Sequence, residues 1–372
     1  MTSDSEIGSD KGLRTKISAK SQLSKAVSVS LGVLLLIATV RGDGSPSRLA
    51  TADSGLVPAG FRFSALDWSG DGKEVRVLYI DRKNPPTLLL RRLDASLQDK
   101  GGMETVPPWD ESTEKELALD LRAGLRLQQH MLAKEHGGSG YFIYPLADAI
   151  PLLRLAGNEL NFPKSFAFSP DARLVAIGGD AYEESVMLCD IAARSKLWET
   201  LQVQEGESNT IAVEQIVFSS SGEFVASQAG HNISVRKAST GEVVHTLSTP
   251  DNANFELSLL GVRDNGSQVL MRRRIGSVEC MLVDLSTGMW THPVKVPTAE
   301  LAWDASGDLR LLAVLSKGNT VKVCDLQTGR VITTVNFKDL PRTSAVAMSP
   351  PGDCLVIAHD DDSLSCWSIP KP

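Results

Sequence analysis

The sequence predicts an all-β fold, a seven-bladed β-propeller, and three observations carry that expectation. An apolar strand, a small polar turn and a second strand recur seven times between about residue 63 and the C-terminus. Successive turns stand about 41 to 53 residues apart, the period of a propeller blade. The clearest copies divide further into four short strand-like runs joined by tight turns, the content of one antiparallel sheet.

The copies are Leu66–Gly72, Leu119–Gly124, Phe166–Ala172, Val217–Gly222, Gly261–Gly266, Ala302–Gly307 and Ala347–Gly352. In the third, Ser165–Phe168 reads as a first strand and Ser169-Pro-Asp-Ala172 as a turn in which Pro tolerates its fixed φ. Arg173–Ile177, Ser185–Asp190 and Lys196–Leu201 read as the second, third and fourth strands. The second copy competes with a helix, because residues 116–133 favour one by propensity. Its place in the array, with strand-like Tyr141–Leu146 and Ile150–Leu155 behind it, decides for strands. The alternative is six blades with a helical insertion.

The last copy ends after its third strand, Ser363–Ser368. A fourth is expected from Ser47–Ala52, upstream of the first blade, so that both termini share one sheet and no edge is left exposed. The domain plan is then a polar basic tail at 1–25, an uncharged segment at 26–40, a linker at 41–60 that partly closes the last blade, and a propeller at 61–372. As a helix, residues 26–40 span about 22 Å, less than a ~30 Å hydrocarbon core. The length suits a signal-peptide h-region or an uncleaved anchor. Lys16, Lys20 and Lys25 on its N-terminal side place the rest of the chain on the non-cytoplasmic face; a cytoplasmic protein with this segment buried is the alternative.

The residues resemble the WD40 repeat family. The likeness rests on turns of the S-P-D-G kind and on third strands that end in Asp before an x-x-T-G turn: Asp284 before Ser286-Thr-Gly288, and Asp325 before Gln327-Thr-Gly329. Asp190, Asp284 and Asp325 match the family's Asp, whereas its preceding Trp is replaced by Cys189, Val283 and Cys324. The opening Gly-His pair is absent, so the family's internal Asp–His network is not carried over. The resemblance implies a protein-interaction scaffold, non-catalytic, with no cofactor.

Net charge −7 is a poor basis for attracting phosphate backbones, so no nucleic-acid partner is expected. Five cysteines at non-ligand spacing read as small buried hydrophobes. No nucleophile elbow, phosphate loop, H-E-x-x-H or C-x-x-C occurs. His359, Asp360, Asp361 and Asp362 form the best local cluster for a hard cation, read in the loop between second and third strands and expected to be a solvated turn. Arg272, Arg273 and Arg274, read as following the second strand of copy five, are candidates for gripping a phosphate or an acidic partner, with a solvated loop as the competing expectation. Trp109, in a connection between blades, is a candidate for an exposed partner contact. A propeller enzyme or a ligand-binding propeller with its site in the central channel is the alternative function, with His359, Asp360, Asp361 and Asp180 as residues to check.

Overall fold

The structure, a computed structural model, describes residues 46–52, 57–81, 87–107, 113–131, 139–147, 150–155, 163–179, 185–201, 212–249, 256–297, 302–316, 319–337 and 340–370. They form seven antiparallel sheets of four strands each. Blades 1 to 6 span Arg62–Val106, Thr113–Leu155, Ser165–Leu201, Val213–Ser248, Glu256–Val296 and Trp303–Asn336; blade 7 is Thr343–Ser368 with Ser47–Ala52 as its outer strand.

The closing strand pairs Ser47 with Ser368 and Ala52 with Leu364. Ser47 Oγ and Ser368 Oγ lie 2.9 Å apart, and Ser368 also donates to the Ser47 carbonyl. Blade 2 is built of strands: Leu125–Met131 pairs with Ser139–Pro145 without a break in register. The edge of a growing ring outweighs local helix propensity there. Its first turn is one residue shorter than the others, closed by a bond from Gly124 N to Asp120 O.

Seven apolar clusters among the described residues account for the ring, and each joins two neighbouring blades. Alternation along single strands explains this. In blade 6, Leu311 and Ala313 face blade 7 while Leu312 and Val314 face blade 5. In blade 3, Val175 and Ile177 face blade 2 while Leu174 and Ala176 face blade 4. The cluster of Trp68, Val77 and Tyr79 with Ala347, Val356 and Leu364 joins blade 1 to blade 7 and closes the circle.

The Ser that opens five of the seven inner turns has a common task. Ser69, Ser169, Ser219, Ser306 and Ser349 each accept, on Oγ, the backbone N–H five residues on. In three of them an Asp two residues on accepts the hydroxyl proton in turn. The residue that ends each turn has φ between 54° and 75° in all seven blades, Ala172 and Leu309 among them. The Asp–x–x–Thr–Gly turns work similarly: Asp325 Oδ1 accepts from Thr328 N and Oγ, and Asp284 Oδ1 from Ser286 and Thr287.

Candidate functional site

The turns that follow the first strands mesh at the ring axis. Gly70 of blade 1 packs on the carbonyl of Pro170 in blade 3, with no space for a Cβ. Gly307 of blade 6 sits against Ser220 of blade 4 and donates its N–H to Pro350 O of blade 7. Ser220 Oγ donates to Asp264 of blade 5 over 2.7 Å. These turns make a collar that narrows one end of the channel.

Just inside the collar, Arg122 of blade 2 spans the axis. Its Nη2 lies 3.0 Å from Asp67 of blade 1 and 3.9 Å from Asp304 of blade 6. Asp67 and Asp304 occupy the same repeat position, two residues before the Ser that opens their turns, so both carboxylates point inward at one level. Each is also fixed by backbone: Asp67 Oδ1 accepts from Trp68 N, and Asp304 accepts from Ala305 N and from Met348 N of blade 7. Burial pushes the Asp304 carboxyl up to about 7, with Arg122 opposing and Asp67 adding to the rise. The two Asp charges hold the Arg122 guanidinium protonated above its ordinary value. Asp120, beside them, is also raised, chiefly by burial.

Beyond this cluster a cavity of about 620 Å³ runs between the inner strands of blades 2 to 6. Phe166, Phe218 and Trp303 supply apolar wall, and Gln215, Arg272 and Asp304 supply polar groups. That volume and mixture are those of a small-ligand or side-chain pocket. Its walls offer charged groups and ring faces.

The arginine run is placed differently from the sequence expectation. It lies inside the second strand of blade 5, Gln268–Ile275, which turns back only at Gly276. A strand separates neighbours onto opposite faces. Arg272 lines the cavity, within 3.4 Å of Ser258 Oγ; Arg273 pairs with Glu279 at 2.8 Å; exposed Arg274 lies 3.7 Å from Glu256. The three do not converge on one anion. Trp109 and Asp180 lie outside the described residues.

His359 is placed as the last residue of the second strand of blade 7, not in the loop, and is 1% exposed. Its Nδ1 is 3.2 Å from the Pro341 carbonyl, which only accepts, so Nδ1 carries the proton and Nε2 accepts from Ser365 Oγ at 2.9 Å. Trp367 Nε1 donates to the same hydroxyl. Asp361 is occupied by Ser363, and Asp362 by the Phe63 N–H of blade 1. Asp360 donates its N–H to Arg342 O. Among the described residues no group of three His, Cys, Asp or Glu stands together as a metal site. Of the five free cysteines four are buried and Cys354 is half-buried, all in blade cores.

Arg122, Asp67 and Asp304 are residues that no sequence motif singles out. The signal was their repeat position: where Asp67 and Asp304 stand, the aligned residues in blades 3, 4, 5 and 7 are Ala167, Val217, Gly261 and Ala347. A charge at a position otherwise small or apolar marks the channel wall. The class defined by this fold is the seven-bladed β-propeller. No protein-family model matches the chain, and no curated protein matches it.

Proposed function

We propose that this protein is a non-catalytic binding propeller, a scaffold whose loops present a rigid surface to a protein partner, built of degenerate WD40-type repeats. The observation that supports it most is the closed ring: seven interblade apolar clusters and a shared last blade fix the loops on one body. The Asp-capped Thr–Gly turns favour the WD40 assignment. On this reading Trp109 and Arg274 are partner contacts, and residues 26–40 hold the propeller at a membrane, on its non-cytoplasmic side. Affinity capture with the full chain, followed by the same capture with Trp109→Ala and Arg274→Glu, tests the scaffold. A partner retained by wild type and lost from these variants is expected; stoichiometric bound metal in the purified chain, with no such partner, rejects it. The mass of the native N-terminus tests the anchor against a cleaved signal.

A second reading, a ligand held in the central channel, is favoured by the 620 Å³ cavity and by Arg272 lining it. Its test is binding of small ligands to wild type but not to Phe218→Ala.

A further inference from the structure

Eight large hydrophobic side chains are exposed among the described residues, and seven of them share one location. Leu49, Ile150, Leu152, Leu197, Val243, Met289 and Val331 all lie in the first three residues of an outer strand or in the turn that leads into it. They come from blades 7, 2, 2, 3, 4, 5 and 6. The placement is a property of the repeat. Outer strands in blades 3, 4, 6 and 7 carry a register shift at the same point, opposite Leu188/Cys189, Val235/Arg236 and Val323/Cys324, and between Arg48 and Ala50. A bulge re-aims the residues around it; Leu49 and Leu197 are the extra residues, and Val243 and Val331 sit directly beside theirs.

All seven positions belong to the collar face. Strands alternate in direction, so the turns between first and second strands and those between third and fourth strands share one face. The hydrogen bonds agree: the residue after the third strand donates to the end of the collar turn in blade after blade, Ile191 to Arg173, Ala238 to Glu223, Leu326 to Arg310 and Ile369 to Asp353. Six blades therefore carry an apolar rim at one level. A peptide would meet one or two of these side chains, whereas a flat surface as wide as the disc meets them all.

The chain enters the ring on this same rim. Ser47, paired with Ser368, begins the closing strand at the collar face, and Leu49 of that strand belongs to the rim. The uncharged segment ends at Val40. Seven peptide steps reach no further than about 25 Å even when fully extended. An anchor at 26–40 is also shorter than a bilayer core, which draws the residues C-terminal to it toward the membrane. We propose that the collar-face rim is a lipid-contacting surface and that the propeller lies with this face against the bilayer that holds residues 26–40. The inference rests on the membrane-anchor reading above. Its consequence is that the opposite face, with the loops between second and third strands, is the one presented to partners.

The test uses the full chain mixed with phosphatidylcholine vesicles. Single variants Leu197→Cys, Val243→Cys and Val331→Cys are labelled with an environment-sensitive fluorophore, with Ile275→Cys, at the opposite end of its blade, as the comparison. The native cysteines, buried or half-buried, leave the introduced thiols the most accessible. Rim labels are expected to be quenched several-fold more strongly than the Ile275 label by quencher-bearing lipid, and a combined Leu197→Glu, Val243→Glu change is expected to lift quenching of a label at Val331. A chain that floats with vesicles while its rim labels are quenched no more than the Ile275 label overturns the rim proposal and leaves the anchor standing. A chain that does not float removes the anchor, and the rim proposal with it. Rim labels shielded from aqueous iodide without vesicles, increasingly at higher protein concentration, assign the rim to a second copy and overturn a lipid contact.

Discussion

Arg122 Nη2 and Asp67 Oδ1 lie 3.0 Å apart across the boundary between blades 2 and 1, and the same guanidinium faces Asp304 of blade 6 from across the axis. One side chain thus ties blade 2 to its neighbour and to a blade on the other side of the ring. Both carboxylates and the guanidinium are about a quarter exposed, all of them toward the channel.

Arg122→Leu is expected to destabilise the fold by about 2 kcal/mol, since it strands two half-buried carboxylates without their cation. Chemical denaturation of variant and wild type measures it. Leaving stability unchanged would show that the cluster adds nothing to ring closure.

Asp304 supplies a pH dependence of known sign. Its folded-state pKa, about 7, lies above the ordinary 3.8, so between those values the folded state holds a proton that the unfolded chain has lost. This group's contribution to stability therefore falls as pH rises from about 4 to 7, by roughly 4 kcal/mol at most. His359 acts oppositely: burial lowers its pKa, so its contribution is lost as pH falls below 6.5. The difference in stability between wild type and Asp304→Asn, followed across this range, isolates the Asp304 share. A difference that stays flat with pH contradicts the assignment.

Gly70→Ala is expected to destabilise by about 1–3 kcal/mol, because a Cβ there overlaps the Pro170 carbonyl and the collar has no room to yield. Thermal unfolding should show a lowered midpoint. Gly288→Ala, whose Cβ would meet Leu247 at an ordinary 3.7 Å, reports backbone strain alone.

Removal of residues 1–52 deletes the closing strand and bares the edge of Leu364–Ser368, with Leu364 and Cys366 at 1% and 0% exposure in the intact ring. The truncated chain is expected to aggregate or to unfold at lower denaturant than wild type. Light scattering and denaturant midpoints report on the two outcomes.

The repeat was legible because the Ser, Asp and Gly of each turn are dictated by local hydrogen bonds that any copy must make. Closure was legible from the want of one strand at the end and a spare one at the beginning. The second blade was legible only from its neighbours. The site was not, because Arg122 meets Asp304 over a separation in sequence that no local pattern records. The placement of the arginine run was not legible for a related reason: three adjacent charges read as one patch, while a strand sends the middle one to the other side.

The strand Ser47–Ala52 also imposes an order of events on the making of the molecule. A ribosome releases it before any other strand of the ring, yet its partner in the sheet, Leu364–Ser368, is the last of those strands to emerge. Until then no part of the circle is latched, and the earliest piece of the propeller must wait for the latest. A nonsense codon before Leu364 would thus leave unsecured the beginning of the ring as well as its last blade.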